Sequence, residues 1–248
     1  MPILIFQHTP TEHAGRLAMT LRDHARTLDV RRLGLPETRT NPHVPTDFDE
    51  VEGIISLGGQ MNVGDDVPWM QREIEFLAAA HKRNLPVIGI CLGAQLIAKA
   101  LGGSVAPMIG GGGGPEWGMA AVRQYPVGNT DVILGGIPWE APQFHAHGQE
   151  VSVLPPGAIA LQASDHCKVQ SFRAGLRTYG FQYHFECDLA MIQDFLTSGD
   201  PQMRESGLDV QQGIADARRS YEMYARTSDR LCINLANYLL PVTRAISA

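Results

Sequence analysis

Residues 87–96 read Val-Ile-Gly-Ile-Cys-Leu-Gly-Ala-Gln-Leu and predict a buried strand that runs directly into a helix. The connection has the pattern Gly-x-Cys-x-Gly, and the small residues around Cys91 permit a sharp turn that raises its side chain above the sheet edge. The nearby helix N-terminus favours the thiolate form of this cysteine. Two interpretations stay open on this motif alone: a nucleophile on an elbow, or a buried structural cysteine.

The segments on either side of this turn alternate between strand and helix patterns. Strands are predicted at 3–6, 28–33, 53–57 and 86–90, and helices at 11–27, 69–83 and 92–101. Gly102-Gly103 ends the last of these helices. The alternation favours a parallel sheet covered by helices on both faces.

The second half of the chain has a different pattern. Short β-like pieces separated by turns occupy 104–183, one of them at 131–134, and Gly110–Gly114 predicts a flexible loop. Helices are predicted over 188–197, 208–226 and 228–240, with a cap at Thr227-Ser228-Asp229 between the last two. We therefore expect a single domain over residues 1–248, whose C-terminal part from about 187 is helical.

Composition and charge exclude several classes of protein. The chain has 248 residues, of which 44% are hydrophobic, so a globular core is expected. A formal net charge of −6 argues against binding nucleic acid through its phosphates. No apolar run reaches the ~18 residues that cross a bilayer, so no membrane span is predicted. Four cysteines without a CxxC pair indicate reduced thiols and a cytoplasmic protein.

A base for the thiol is available in residues 179–186, Tyr-Gly-Phe-Gln-Tyr-His-Phe-Glu. On an extended segment, residues two apart point to the same side, so Glu186 can orient the ring of His184. The alternative is a histidine at a strand end beside a solvated glutamate.

A third motif, Ser56-Leu57-Gly58-Gly59-Gln60, follows another predicted strand. Ligands of parallel sheets lie at the carboxyl ends of the strands, and two glycines there permit close backbone approach to a ligand. The Gly59 amide and the Leu92 amide could then form an oxyanion hole, although an ordinary turn is also compatible with the sequence.

These three motifs, in this order, resemble those of the class I glutamine amidotransferases. Phe144-His-Ala-His-Gly-Gln149 is similar to the His-Gly-Asp segment of stand-alone relatives of the GMP synthase glutaminase domain, and Glu116-Trp117-Gly118 to their Glu-x-Gly. The resemblance implies an α/β fold: a flavodoxin-like three-layer sandwich with a mostly parallel sheet, a small antiparallel extension and C-terminal helices.

The resemblance also implies a role for each matching residue. Cys91 attacks the glutamine side-chain amide and forms a thioester, His184 transfers the proton, and Glu186 orients His184. The Gly59 and Leu92 amides stabilise the oxyanion. The substrate-binding residues implied are Gly58, Gln95, Gly148 and Gln149. No cofactor is implied, and the expected partners are glutamine or a γ-glutamyl small molecule and, to use the ammonia, a separate synthetase subunit.

The sequence departs from the family pattern at three positions. Gln60 and Phe185 stand where many relatives have proline, and Gln149 stands where the nearer relatives have aspartate. Two other functions therefore stay open: a γ-glutamyl peptidase that acts without a synthetase, and a non-catalytic binding protein that keeps the scaffold. An α/β hydrolase that uses a thiol on esters shares the elbow, but it predicts a different motif order.

A metal site is the remaining candidate. His145 and His147 could bind an ion together with His166 or His184, but no acidic third ligand is evident in the sequence. We therefore predict no metal.

Overall fold

The computed structural model describes residues 1–108 and 114–241, and its elements follow the alternation in the sequence. Four residues of the predicted flexible loop, 110–113, lie outside the described residues. The strands are β1 (Ile3–Gln7), β2 (Leu28–Arg32), β3 (Gly53–Ser56), β4 (Val87–Ile90), β5 (Ser104–Pro107), β6 (Glu116–Gln124), β7 (Glu140–His147), β8 (Gln149–Val153), β9 (Ile159–Ala163), β10 (Ser171–Ala174) and β11 (Thr178–Phe181). The helices are α1 (Gly15–Asp23), α2 (Met70–Lys82), α3 (Leu92–Ala100), α4 (Leu189–Thr197), α5 (Pro201–Glu205) and α6 (Val210–Asn234), and a π-helical turn, Leu235–Leu239, continues α6.

One nine-stranded sheet organises the chain. Its parallel half has the order β2-β1-β3-β4-β11, and its antiparallel half continues as β10-β9-β6-β7. The parallel order is that of flavodoxin-like folds, so the predicted fold class is confirmed. Strands β5 and β8 form a separate antiparallel pair. The carboxyl ends of β3, β4 and β11 lie side by side, which brings the three sequence motifs to one edge.

Helices cover both faces of the parallel half. Along β1, Ile3 and Ile5 pack in one core with α1 and α6, whereas Leu4 and Phe6 pack in the other core with α2 and α3. This alternation explains why the strand reads as a continuous apolar run. A third core, which includes Phe144 of β7, joins the antiparallel half to α4, α5 and α6.

The structure corrects two local predictions and adds two strands. Residues 132–134 form a 3₁₀ turn and not a strand, because the Asp131 carboxylate accepts the Ile133 N–H at 3.0 Å and caps the turn. Helix α6 runs through the predicted boundary, since Thr227 and Ser228 are buried against the protein and do not cap a new helix. The strands β5 and β7 were not predicted. Among the described residues, no helix is both long and apolar enough to cross a membrane.

Candidate active site

The turn between β4 and α3 holds Cys91 in a conformation that few non-glycine residues adopt. Its φ is +50° and its ψ is −109°. The turn requires glycine on both sides: a Cβ on Gly89 would lie 2.6 Å from the backbone of Gly93 and Ala94, and one on Gly93 would collide with the Ser56 carbonyl. The Cys91 N–H donates to the Phe181 carbonyl at 2.8 Å, which ties the elbow to β11. The sharp turn that the sequence predicts at Cys91 is therefore present, and its backbone is strained.

His184 and Glu186 meet as predicted, although the backbone between them is irregular and not a strand. His184 Nδ1 lies 2.7 Å from Glu186 Oε1, and both side chains are buried. Because a carboxylate only accepts, Nδ1 carries a proton and Nε2 is left to interact with other groups.

The Cys91 thiol and His184 are close enough to affect each other. Burial opposes the charged form of His184, but Glu186 and the Cys91 sulfur outweigh it and hold the pKa of His184 well above its usual value. Nε2 of His184 makes no hydrogen bond to any residue that the structure describes. The thiol donates to the Ala146 carbonyl at 3.7 Å. The arrangement can produce a thiolate and an imidazolium once the thiol turns from that carbonyl.

Two backbone amides at this edge are free to bind an anion. Neither the Gly59 nor the Leu92 N–H donates a hydrogen bond within the described part of the chain. The two residues are neighbours, because a Cβ on Gly59 would lie 2.8 Å from the Leu92 side chain. Gly58 also packs closely, and a Cβ there would lie 2.9 Å from the His184 ring.

A buried network that the sequence analysis missed fixes the direction of the Gly59 amide. His8 Nδ1 lies 3.0 Å from the Gly58 carbonyl oxygen, so it donates to that oxygen. In a trans peptide the C=O and the following N–H point in opposite directions. The Gly58 carbonyl points to His8, and the Gly59 N–H therefore points away from it.

The other side of the His8 ring contacts a buried carboxylate. Nε2 of His8 lies 2.9 Å from Glu73 Oε2, and the Ser56 hydroxyl donates to Glu73 Oε1 at 2.6 Å. Burial lowers the pKa of His8, but Glu73 outweighs it and the net shift is upward. With an acceptor at each nitrogen, the ring is an imidazolium. The ring also stacks on Trp69, at a centroid distance of 4.7 Å.

A cavity opens over Cys91 and is lined by five of the predicted site residues: Gly59, Cys91, Gln95, Gly148 and Gln149. The side-chain amide of Gln95 donates to the Gln149 carbonyl at 3.0 Å, so it positions the start of β8. Gln149 Oε1 accepts the Val63 N–H at 3.0 Å. The side chain of Gln149 therefore links the start of β8 to the loop that carries Val63.

Two further residues at the site carried no recognisable sequence signal. Glu12 lines the cavity, and burial raises its pKa against the opposing charges of His184 and His8. Tyr224 of α6 donates to the carbonyl oxygens of His184 and Cys187, at 2.6 and 3.0 Å. The helical tail thus holds the segment that carries the histidine and the glutamate.

The fold and this geometry define a class: α/β proteins with a cysteine elbow, a buried histidine–glutamate pair and free amides at the carboxyl edge of a parallel sheet. The family model "Glutamine amidotransferase class-I" matches residues 19–195. The chain belongs to the class I glutamine amidotransferase family, and it is an enzyme.

Curated relatives and solved structures agree with this assignment. The glutamine-hydrolyzing GMP synthase subunit of Methanosarcina barkeri is 32% identical over 173 residues, which is 69% of this chain and 82% of that protein. The corresponding subunit of Methanococcus maripaludis is 30% identical over 175 residues, which is 70% of this chain and 84% of that protein. The structure of a glutamine amidotransferase from Methylobacillus flagellatus has a TM-score of 0.74 at 25% identity and covers 95% of both chains. The predicted resemblance is confirmed.

Proposed function

We propose that the protein hydrolyses the side-chain amide of glutamine through a thioester on Cys91 and releases ammonia. The observation that carries this proposal is the strained Cys91 elbow beside a buried His184–Glu186 pair, with two free amides at the same edge. A thiol, a base, an orienting carboxylate and oxyanion donors are the groups that acyl transfer needs.

In the first half of the reaction, His184 Nε2 takes the thiol proton and Cys91 Sγ attacks the amide carbon. The Gly59 and Leu92 N–H groups stabilise the oxyanion. When the tetrahedral species collapses, the C–N bond breaks, His184 returns its proton to the nitrogen, and ammonia leaves. A water molecule then attacks the thioester while His184 takes its proton. The C–S bond breaks, His184 returns the proton to the Cys91 sulfur, and glutamate leaves.

A second candidate is hydrolysis of a substituted γ-glutamyl amide, which differs from glutamine only at the amide nitrogen. Both substrates carry the same α-amino group, for which Gln149 offers no carboxylate, and Gln149 Oε1 accepts the Val63 N–H. The chemistry would be unchanged, but an amine would leave in place of ammonia. Rates of ammonia release from glutamine and of amine release from γ-glutamyl amides separate the two candidates.

We also propose that the ammonia passes to a separate synthetase subunit. The names of the curated relatives describe them as one subunit of a GMP synthase, which supports a subunit role for this chain. The assignment of residues 1–248 to a single domain and the cytoplasmic location stay predictions. All four cysteines are free and buried, which suits a reducing compartment.

The deciding experiment is covalent labelling with a glutamine-mimicking diazoketone, read by intact mass. One adduct per chain is expected on the wild-type protein and on Cys167→Ala, which removes another buried thiol. Cys91→Ala should carry no adduct. Labelling that persists in Cys91→Ala would refute the assigned nucleophile. No labelling, together with no release of ammonia or amine, would favour the non-catalytic binding protein.

A further inference from the structure

Beside the cavity, three buried side chains converge from two neighbouring strands. Glu116 begins β6 and is paired in register with His147 near the end of β7. His145 is two residues from His147, so it projects from the same face of the sheet. Strand pairing thus supplies the acidic residue that was not evident as a third ligand from the sequence.

The distances within this cluster suit a shared metal ion. Glu116 Oε2 lies 3.2 Å from His147 Nε2 and 3.6 Å from His145 Nδ1. Two ligands bound to Zn²⁺ at about 2.0–2.1 Å in a tetrahedral site are roughly 3.4 Å apart. One potential ligand atom from each of the three residues lies within 4.8 Å of those from the other two.

The hydrogen bonding of His147 leaves one nitrogen aimed at the carboxylate. Its Nδ1 lies 3.1 Å from the Gln149 carbonyl and must carry a proton to donate there. In the neutral ring, Nε2 then presents a lone pair towards Glu116. Two lone pairs at this separation repel each other, so a positive centre is required between them, either a proton or a metal ion. Nε2 forms no hydrogen bond with any described residue. A proton on Nε2 would be expected to form a hydrogen bond with Glu116, whereas an ion held between the two groups requires no such bond.

His145 adds an independent observation. It is fully buried, and neither of its ring nitrogens is hydrogen bonded within residues 1–108 and 114–241. Leaving buried polar atoms without partners is costly, so such atoms indicate a missing ligand. The neutral imidazole is the form that binds metals.

The carboxylate is also prepared for this role. Gln170 donates to Glu116 Oε2 at 2.6 Å, which is the kind of second contact that orients a metal-ligating carboxylate. Among the described residues, no lysine or arginine forms an ion pair with Glu116.

We propose that Glu116, His145 and His147 form a binding site for a divalent transition metal of the Zn²⁺ class, with one coordination position left open. Two imidazoles and one carboxylate are a donor set that Zn²⁺ accepts. The ion would cross-link the start of β6 to the end of β7. That strand end carries the Ala146 carbonyl, which accepts the Cys91 thiol, and leads into Gly148 of the cavity wall. This proposal does not depend on the proposed reaction.

The test measures metal binding in the full chain with Cys91→Ala, so that the elbow thiol cannot act as a ligand. After removal of metals with a chelator, Co²⁺ is titrated and its visible absorption followed, and bound Zn²⁺ is counted after dialysis. We expect about one ion per chain and intense bands of four-coordinate Co²⁺ that Zn²⁺ displaces. Glu116→Gln and His145→Ala should each weaken binding at least tenfold. His166→Ala, at an exposed histidine, is the matched control and should bind normally.

Binding that is absent, or that is equal in Glu116→Gln, His145→Ala and the control, would overturn the proposal. The cluster would then be an imidazolium–carboxylate pair. If the ligand variants do not fold, X-ray absorption of Zn²⁺ bound to the Cys91→Ala protein decides. Nitrogen and oxygen ligands with two imidazoles support the site, whereas a sulfur ligand would place the ion at Cys187 and overturn it.

Discussion

His8 should control the rate of the proposed reaction without touching the substrate, because it fixes the peptide whose N–H forms half of the proposed oxyanion hole. Two substitutions separate its two contacts. The side-chain amide of asparagine can replace Nδ1, which donates to the Gly58 carbonyl, whereas the longer glutamine can replace Nε2, which faces Glu73. His8→Gln therefore loses the contact that orients the Gly59 amide, and His8→Asn keeps it.

The expected size of the effect follows from the geometry. A hydrogen bond from a charged donor contributes about 1.5–3 kcal/mol, and each 1.4 kcal/mol is about tenfold in rate. His8→Gln should lower kcat by roughly 10- to 100-fold, below the ~10²–10³ that deletion of an oxyanion donor costs. KM should change little, because the oxyanion develops only in the transition state. His8→Asn should retain most of kcat but unfold more readily, since it leaves the buried Glu73 without the hydrogen-bond donor that the glutamine amide still supplies in His8→Gln.

The assay is release of ammonia or amine at saturating substrate, with thermal unfolding measured on the same samples. His8→Gln should be the slower of the two enzymes, and His8→Asn should be the less stable of the two proteins. If His8→Asn is the slower enzyme, or if both rates simply follow stability, His8 does not orient the Gly59 amide.

Three further outcomes are expected. Gly93→Ala should destabilise the protein by several kcal/mol in urea unfolding, because the added Cβ meets the buried Ser56 carbonyl, whereas Gly114→Ala, whose added Cβ would lie 3.9 Å from its nearest neighbour, should cost much less. Tyr224→Phe should lower stability by about 1–3 kcal/mol and also lower kcat, because two carbonyls near His184 lose their donor; an unchanged kcat would show that α6 does not position the histidine. The raised pKa of His8 stabilises the fold fully below the unfolded pKa of about 6.5, and this contribution is lost as pH rises through the folded value. The free energy of unfolding of the wild type should therefore fall more steeply above pH 6.5 than that of His8→Gln, and parallel curves would contradict the assignment of the proton.

The sequence allowed prediction of those features that are encoded locally. The elbow at Cys91 follows from its two flanking glycines, and the His184–Glu186 contact follows from a spacing of two residues. By contrast, His8, Glu73 and Tyr224 reach the site from elements far apart in the chain. Each is a common residue type without a distinctive neighbour, so only the packing of β1, α2 and α6 shows that they converge.

The antiparallel half shows the same limit for a different reason. The pairing of β6 with β7 is set by the register of two strands that a long connection separates, so the sequence did not show that Glu116 lies opposite His147. The continuous helix α6 was missed because Thr227 and Ser228 are typical capping residues. In the folded protein they are buried, and tertiary packing outweighs their local preference.

The conformation of Cys91 bears on the two interpretations that the motif left open. A cysteine that serves only as a small apolar core residue can adopt ordinary backbone angles, as nothing in packing requires a positive φ. Holding a non-glycine residue at φ +50° costs on the order of 1–3 kcal/mol. The surrounding structure offsets this cost with hydrogen bonds from Cys91 N–H to β11 and from Gly93 N–H to the Leu57 carbonyl after β3. What the strain provides is a thiol above the sheet edge, beside His184 and the free Gly59 and Leu92 amides, and a nucleophile needs that position whereas a structural cysteine does not.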